Sequence, residues 1–190
     1  MNRTAPFVDR VHVILGDYHK YWLVRGFVKN PKADINTKKM MDLKEAGNRR
    51  MAEAVRHFGV PLAQSLASLV SRRAPIYCAI VPGHEADSIS EGLNLILNNH
   101  IRTVFNVVSR DKVLRRHSTV ESRAKGGTRD VESILNSVEV QKDRLSTGAT
   151  VVLLDDVMTT GTSLEGCERL LLAAGATTVI PIALLRTADA

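Results

Sequence analysis

Two adjacent carboxylates, Asp155 and Asp156, stand between an apolar run and a hydroxyl-rich segment. The full stretch is Val151-Val152-Leu153-Leu154-Asp155-Asp156-Val157-Met158-Thr159-Thr160-Gly161-Thr162-Ser163. Carboxylate oxygens can accept hydrogen bonds from sugar hydroxyls or ligate a hard metal ion. A Thr/Gly/Ser segment that opens a helix leaves backbone N–H groups and the positive end of the helix dipole free for a phosphate. Together they make a site for a ligand that is both hydroxylated and phosphorylated. A P-loop is excluded, because the lysine it needs after its last glycine is Thr162 here. Taken alone, the acidic pair is also compatible with an ordinary Asp-rich turn.

The elements that must hold these residues follow from the pattern around them. The four apolar residues before Asp155, two of them β-branched, read as a strand buried on both faces. A helix should run from about Ser163 to Ala174, with Gly175 as its C-terminal cap. Ile76 to Val81 repeats the logic: an apolar strand, the loop Pro82-Gly83-His84-Glu85, then a helix from about Ser88 to Asn98. Thr103 to Val108 and Thr178 to Leu185 are two more strands, and Pro181 assigns the last to an edge or a bulge. Phe7 to Leu15 reads as a strand or edge element. Met40, Leu43, Ala46, Met51, Ala54 and Val55 form one helical stripe up to Phe58. Pro61 should interrupt it before a second helical segment ends near Ser71. Tyr18 and Trp22 either pack as a small lid or stack on a base. Strands alternating with helices predict an α/β, doubly wound, mainly parallel sheet in a single domain spanning 1–190. In such sheets ligands bind beyond the carboxyl ends of the strands, so the loops after Val81 and Met158 can build one site.

Composition narrows the function classes. With 190 residues, 44% hydrophobic and 24% charged, the chain suits one domain with a proper core. No apolar run approaches a membrane span, and the first residues lack a signal-peptide core, which points to the cytoplasm and away from the membrane. Cys78 and Cys167 sit singly in apolar segments and read as reduced core residues. A net charge of +6 suits polyanionic partners, whether nucleic acid or a phosphate-rich small molecule. Only 4% aromatic residues weakens a base-stacking single-strand binder. Between Val108 and Thr150 lies a long polar stretch whose first half carries Arg110, Lys112, Arg115, Arg116, His117, Arg123, Lys125 and Arg129, with Gly126-Gly127 as a flexible point. Beside an acid-and-phosphate site, a cationic loop can neutralise a departing anionic group. It can equally be a solvated surface or a nucleic-acid contact.

The run from Val151 to Ser163 resembles the binding motif for 5-phosphoribosyl 1-pyrophosphate (PRPP) in the type I phosphoribosyltransferases. Further elements are similar to the ComF, or competence-protein, type: Lys44…Gly47, Val81-Pro82-Gly83-His84, Gly92-Leu93-Asn94, Arg115-Arg116-His117-Ser118-Thr119, and Leu171-Leu172-Ala173-Ala174-Gly175-Ala176…Val179. The resemblance implies the type I phosphoribosyltransferase fold, with residues 1–40 as a small hood or extension. Asp155 and Asp156 would face the ribose hydroxyls, Val157 and Met158 would follow them, and Thr159, Thr160, Gly161, Thr162 and Ser163 would wrap the 5′-phosphate. Pro82, Gly83, His84 and Glu85 would form the pyrophosphate loop, although His84 and Glu85 replace its usual basic residues. Ser122 and Glu132 replace an expected Gln and Asn, and the zinc-binding amino-terminal element of many ComF-like proteins has no counterpart.

The reaction so implied displaces pyrophosphate from PRPP with a nitrogen nucleophile, a small-molecule acceptor such as a nucleobase. Mg²⁺ would come with PRPP, with Asp155 and Asp156 as its nearest protein ligands. Arg115 and Arg116, with Lys112, are the candidates for neutralising the leaving group. His84 or His117 could act as a base near neutral pH. The 6-oxopurine enzymes carry an Asp where Thr159 stands, which argues against hypoxanthine or guanine salvage. Members of this class are often homodimers. A catalytically attenuated PRPP-binding regulator and a DNA-associated competence-type factor are the other readings.

Overall fold

The computed structural model describes residues 7–19, 22–24, 27–29, 34–109, 112–120 and 130–188. A 3₁₀ turn at Phe7–Arg10 leads into short strands β1 (His12–Val13) and β2 (Asp17–Tyr18), then a hairpin of β3 (Trp22–Val24) and β4 (Phe27–Lys29). Helices α1 (Ile35–Lys44) and α2 (Met51–Leu69) follow, then strand β5 (Tyr77–Ile80) and helix α3 (Glu91–Ile96), which continues as a π turn at Leu97–Ile101. Strands β6 (Leu114–Arg116) and β7 (Val138–Val140) pair antiparallel, with helix α4 (Val131–Leu135) before β7. The chain closes with β8 (Thr150–Met158), helix α5 (Thr162–Ala173) and β9 (Thr178–Thr187).

The main sheet runs β1-β9-β8-β5, with β2 also on β9, and every pair in it is parallel. The strand read from Val151 to Leu154 explains why β8 lies inside: alternate residues point to opposite faces, and both faces are covered. Val152 and Leu154 join a core with α1, α2 and α3, while Val151 and Leu153 join one with α4 and α5. The helix after β5 therefore packs on one face and the helix after β8 on the other. Adjacent parallel strands whose following helices diverge in this way leave a crevice at their carboxyl ends. The fold is the α/β, mainly parallel architecture expected.

Several elements differ from expectation. Phe7 to Leu15 is a 3₁₀ turn and a two-residue strand. The stripe from Met40 to Phe58 is split between two helices, with Gly47 at φ 72° in the break. Pro61 does not interrupt α2. Its interior position costs about 3 kcal/mol, whereas Phe58, Leu62 and Leu66 are all 0% exposed, and burying each contributes roughly 1.5–3 kcal/mol. Thr103 to Val108 is not a strand: the preceding helix runs on to Ile101, leaving a single parallel bridge, Ile76 to Val107. Pro181 lies in an interior strand, β9, paired in register with Leu153. The first β1 pair is His12 with Ile182, one residue later, so at the proline itself only β8 is alongside. Gly175 ends α5 at φ 103°: its N–H donates to the carbonyl of Leu172, and that of Ala176 to Leu171.

Candidate active site

The loops after β5 and β8 leave the same end of the sheet, at the crevice. β8 keeps its pairing with β9 through Met158, so the acids sit on a strand held from its neighbour rather than on a free turn. Asp155 and Asp156 are both half-buried. The Asp155 side chain accepts from the N–H of Asp156 at 2.9 Å, and that of Asp156 from the N–H of Val157 at 2.6 Å. The two carboxylates are thereby oriented by their own backbone. Met158 is buried, and Thr159 bonds the hydroxyl of Thr187 on β9 at 3.0 Å.

Gly161 is the residue just before α5 and adopts φ 77°, a left-handed conformation natural to glycine. It has no side chain to cap the helix, and Glu165 is the first residue whose N–H reaches back to the carbonyl of Gly161. The N–H groups of Thr162, Ser163 and Leu164 are therefore available beside the hydroxyls of Thr160 and Thr162, which bond each other at 2.9 Å. An anion fits this cradle by charge and by donor geometry. A Cβ on Gly161 would approach Phe7 to 3.2 Å, so the ring of Phe7 packs against the cradle. Arg10 lies over that ring at 4.8 Å and forms a two-pronged pair with the buried Glu168 of α5, at 2.9 and 3.1 Å. Residues 7–10 are thus clamped to the helix that opens the cradle.

Lys44, at the end of α1, places its ammonium 3.0 Å from Asp156 Oδ1. Gly92 explains how α1 comes that close. A Cβ on Gly92 would lie 2.5 Å from the carbonyl of Leu43, so only glycine lets α3 and α1 touch there. Sequence reading named Lys44 and Gly92 as parts of a resemblance and gave them no joint role; the signal was present, but the contact is tertiary.

The loop after β5 is tied down by β6 and the residues after it. Asp87 N–H donates to Arg116 O (2.9 Å), Val120 N–H to His84 O (2.9 Å), and Ala86 N–H to Thr119 Oγ1 (3.0 Å). Asp87 has φ 58°. Lys112 Nζ donates to the carbonyl of Asp87 at 2.8 Å. Arg115 lies 2.6 Å from Asp87 and 3.5 Å from Glu139, and its hydrogen-bonded guanidinium holds the Asp87 carboxyl below the usual range. Pro82 is buried, Gly83 half-buried, and His84 and Glu85 are exposed, 3.8 Å apart.

Arg116 is corrected from a leaving-group contact to an internal brace. It is 0% exposed, and its guanidinium donates to the carbonyl of Gly83 and to Ser137 Oγ. Successive residues of a strand face opposite sides, so Arg115 can reach solvent only if Arg116 points inward. His117 is exposed, its backbone N–H bonded to Ser137 O. Arg110, Ser122, Arg123, Lys125, Gly126, Gly127 and Arg129 lie outside the described residues. Cys78 and Cys167 are buried thiols that form no disulfide, and burial pushes the Cys78 thiol up to about 12, which removes it as a nucleophile.

A cavity of about 450 Å³ adjoins the end of β8 at Met158, lined by Val8, Val11, Val13 and Met158 with Asp9, Gly16 and Arg186. Among the described residues no cluster of three His, Cys, Asp or Glu side chains could hold a metal by itself. A magnesium ion here would need oxygens from a ligand beside the two carboxylates, a donor set typical of that ion.

An open parallel sheet with an acidic pair and an uncapped helix at its crevice defines an α/β protein of the mainly parallel kind. The chain belongs to the phosphoribosyl transferase domain family, whose model matches residues 86–189. No curated protein matches it. Among solved structures, a hypoxanthine phosphoribosyltransferase from Staphylococcus aureus is similar at 18% identity over 82% of this chain and 74% of that one, with a TM-score of 0.45. A purine phosphoribosyltransferase from Pyrococcus horikoshii Ot3 is similar at 16% identity over 70% and 83%, with a TM-score of 0.37. Among the described residues no helix is long and apolar enough to cross a membrane.

Proposed function

We propose that the protein transfers the 5-phosphoribosyl group of PRPP to a nitrogen nucleophile, a nucleobase in the first instance, with release of pyrophosphate. The observation that carries this is the placement of Asp155 and Asp156 directly before the uncapped amino end of α5, at the crevice between β5 and β8. The carboxylates take the ribose hydroxyls, and the cradle from Thr159 to Ser163 takes the 5′-phosphate. The C1–oxygen bond breaks with its electron pair leaving on pyrophosphate, and the acceptor nitrogen bonds C1 and loses its proton to solvent or a base. Holding the sugar at both ends supplies the orientation such a displacement needs. Asp155 and Asp156 would be the protein carboxylates that hold Mg²⁺, which would supply Lewis-acid neutralisation of the charge on the leaving pyrophosphate.

The 450 Å³ cavity beside Met158 is the place for the acceptor: its lining mixes apolar Val8, Val11, Val13 and Met158 with Arg186 and Asp9, which offer a donor and an acceptor to a heterocycle's edge. Residues 7–16 contribute most of that wall, which gives the amino-terminal extension the role of a hood. A ComF-like subtype is supported by Lys44, which pairs with Asp156 on β8, and by Gly92, which lets α3 pack against Leu43 beside it.

A binding-only reading is favoured by one feature: the loop after β5 presents exposed Glu85 and Asp87, and Arg115 is engaged by two carboxylates. A pyrophosphate-release assay with PRPP, Mg²⁺ and a panel of nucleobases and ammonia separates the two. Release that needs both PRPP and one acceptor is the expected result. PRPP binding without release under any acceptor would establish the regulator instead.

A further inference from the structure

A second cavity, of about 290 Å³, lies on the other flank of β5, against the edge that does not face β8. It exists because Thr103 to Val108 makes only the single bridge at Val107; the Ser109 hydroxyl then covers the backbone of Cys78, and beyond it the edge beside Ile80 has no neighbouring strand among the described residues. Ile80, Leu97 and Leu114 make an apolar floor. The rim is polar and, among the described residues, is made of Asn94, Asn98, Arg102 and Lys112 with no carboxylate.

Three of these rim residues form a hydrogen-bonded row. Asn98 donates to Asn94 at 3.4 Å, and Arg102 Nε donates to Asn98 Oδ1 at 3.0 Å. The π turn produces this alignment: the N–H of Arg102 bonds the carbonyl of Leu97, five residues back, and the wider turn helps bring residues 94, 98 and 102 into one file. Arg102 also donates to the carbonyl of Ser109, so among the described residues its charge meets only neutral acceptors. Lys112 bonds the carbonyl of Asp87, and its charge also acts on the Asp87 carboxylate, which is engaged mainly by Arg115. Two cations and two amides around an apolar floor suit a flat ring system that carries one anionic group.

We propose that this cavity binds a small, flat, anionic molecule of one or two rings, and that the loop after β5 senses its occupancy. The sensing follows from two contacts. Lys112 holds the carbonyl of Asp87, and Ile89 lines the same cavity, so an anion drawing on Lys112 competes with a bond that fixes the loop. The binding claim is independent of the proposed phosphoribosyl transfer; the sensing claim rests on it.

The test uses the full chain and calorimetric titration with three probes: 1-naphthoate, its neutral amide, and inorganic phosphate. Naphthoate should bind at least 10-fold more tightly than either other probe. Arg102→Gln should erase its preference over the amide, and Asn98→Leu, on an exposed position, should weaken it several-fold. An Asp155→Asn, Asp156→Asn variant should bind naphthoate as the wild type does, which separates failure here from failure of the PRPP reading. Saturating naphthoate should also change PRPP affinity by several-fold, with the reciprocal change in its own. Naphthoate that binds no better than its amide, or binds Arg102→Gln equally, overturns the site. Binding that leaves PRPP affinity unchanged overturns the sensing.

Discussion

Replacing Asp155 and Asp156 together by Asn removes both negative charges and keeps the side-chain volume. In the native chain both carboxylates are half-buried and backbone-oriented, with Lys44 beside one of them. A hydrogen bond to a charged acceptor contributes about 1.5–3 kcal/mol, and Asn keeps a neutral acceptor oxygen. Losing about half of two such bonds costs roughly 2.7 kcal/mol, or about 10²-fold in Kd for PRPP. At 100 times its Kd, PRPP with Mg²⁺ should stabilise the wild type by about 2.7 kcal/mol. At the same concentration the variant gains only about 0.4 kcal/mol, since its ratio of ligand to Kd is then near one. For a chain of this size these gains correspond to about 5–10 °C and about 1 °C in Tm. Thermal unfolding of each protein with and without ligand measures both, each against its own ligand-free baseline. A variant that keeps more than half the wild-type shift would refute the role of the acids. So would a wild type that unfolds cooperatively and shows no shift.

Lys44→Met and Asp156→Asn in a double-mutant cycle should show a coupling of at most about 1 kcal/mol, the range for a partly exposed pair; the coupling should shrink in high salt, and one that grew would contradict an ion pair. Gly92→Ala should destabilise by about 1–3 kcal/mol through overpacking against Leu43 and weaken that coupling, read from urea midpoints; a neutral substitution would show that α1 and α3 need no close approach. Arg116→Met should cost about 2–4 kcal/mol by leaving the Gly83 carbonyl and Ser137 hydroxyl without their donor, and Arg116→Lys should not restore it fully because lysine lacks the planar fork. An urea midpoint within error of wild type for Arg116→Met would remove the brace. His57 is held below the ordinary imidazole value, first by burial and then by the charge of Lys39. The unfolded chain therefore takes up the proton first as pH falls through about 6.5, so stability should decline from there toward the lower folded value. Comparing Tm at pH 8 and pH 5.5, the drop should be smaller in His57→Gln; an equal drop would assign it to other groups.

The residues from Val151 to Ser163 determined a great deal by themselves. Four apolar residues force a strand covered on both faces, and a capless Thr-Gly-Thr forces open N–H groups at a helix start; both are local consequences of side-chain type. The same is true of Gly175, which closes α5 by a bond pattern that depends only on its neighbours. Elements decided by packing were read less well. Pro61 looked like a break, but three fully buried side chains outweigh its missing hydrogen bond. Thr103 to Val108 looked like a strand, but the helix before it runs on to Ile101 and leaves room for only one bridge to the sheet edge. Arg115 and Arg116 are alike in sequence, yet strand alternation sends one to solvent and the other inside, where it braces the loop it was expected to serve as a ligand contact. Lys44 reaches Asp156 from more than a hundred residues away only because Gly92 lets two helices touch. Type and spacing define what a short run can bind, while charge pairing across the chain depends on which elements approach, and that distance exists only in the folded protein.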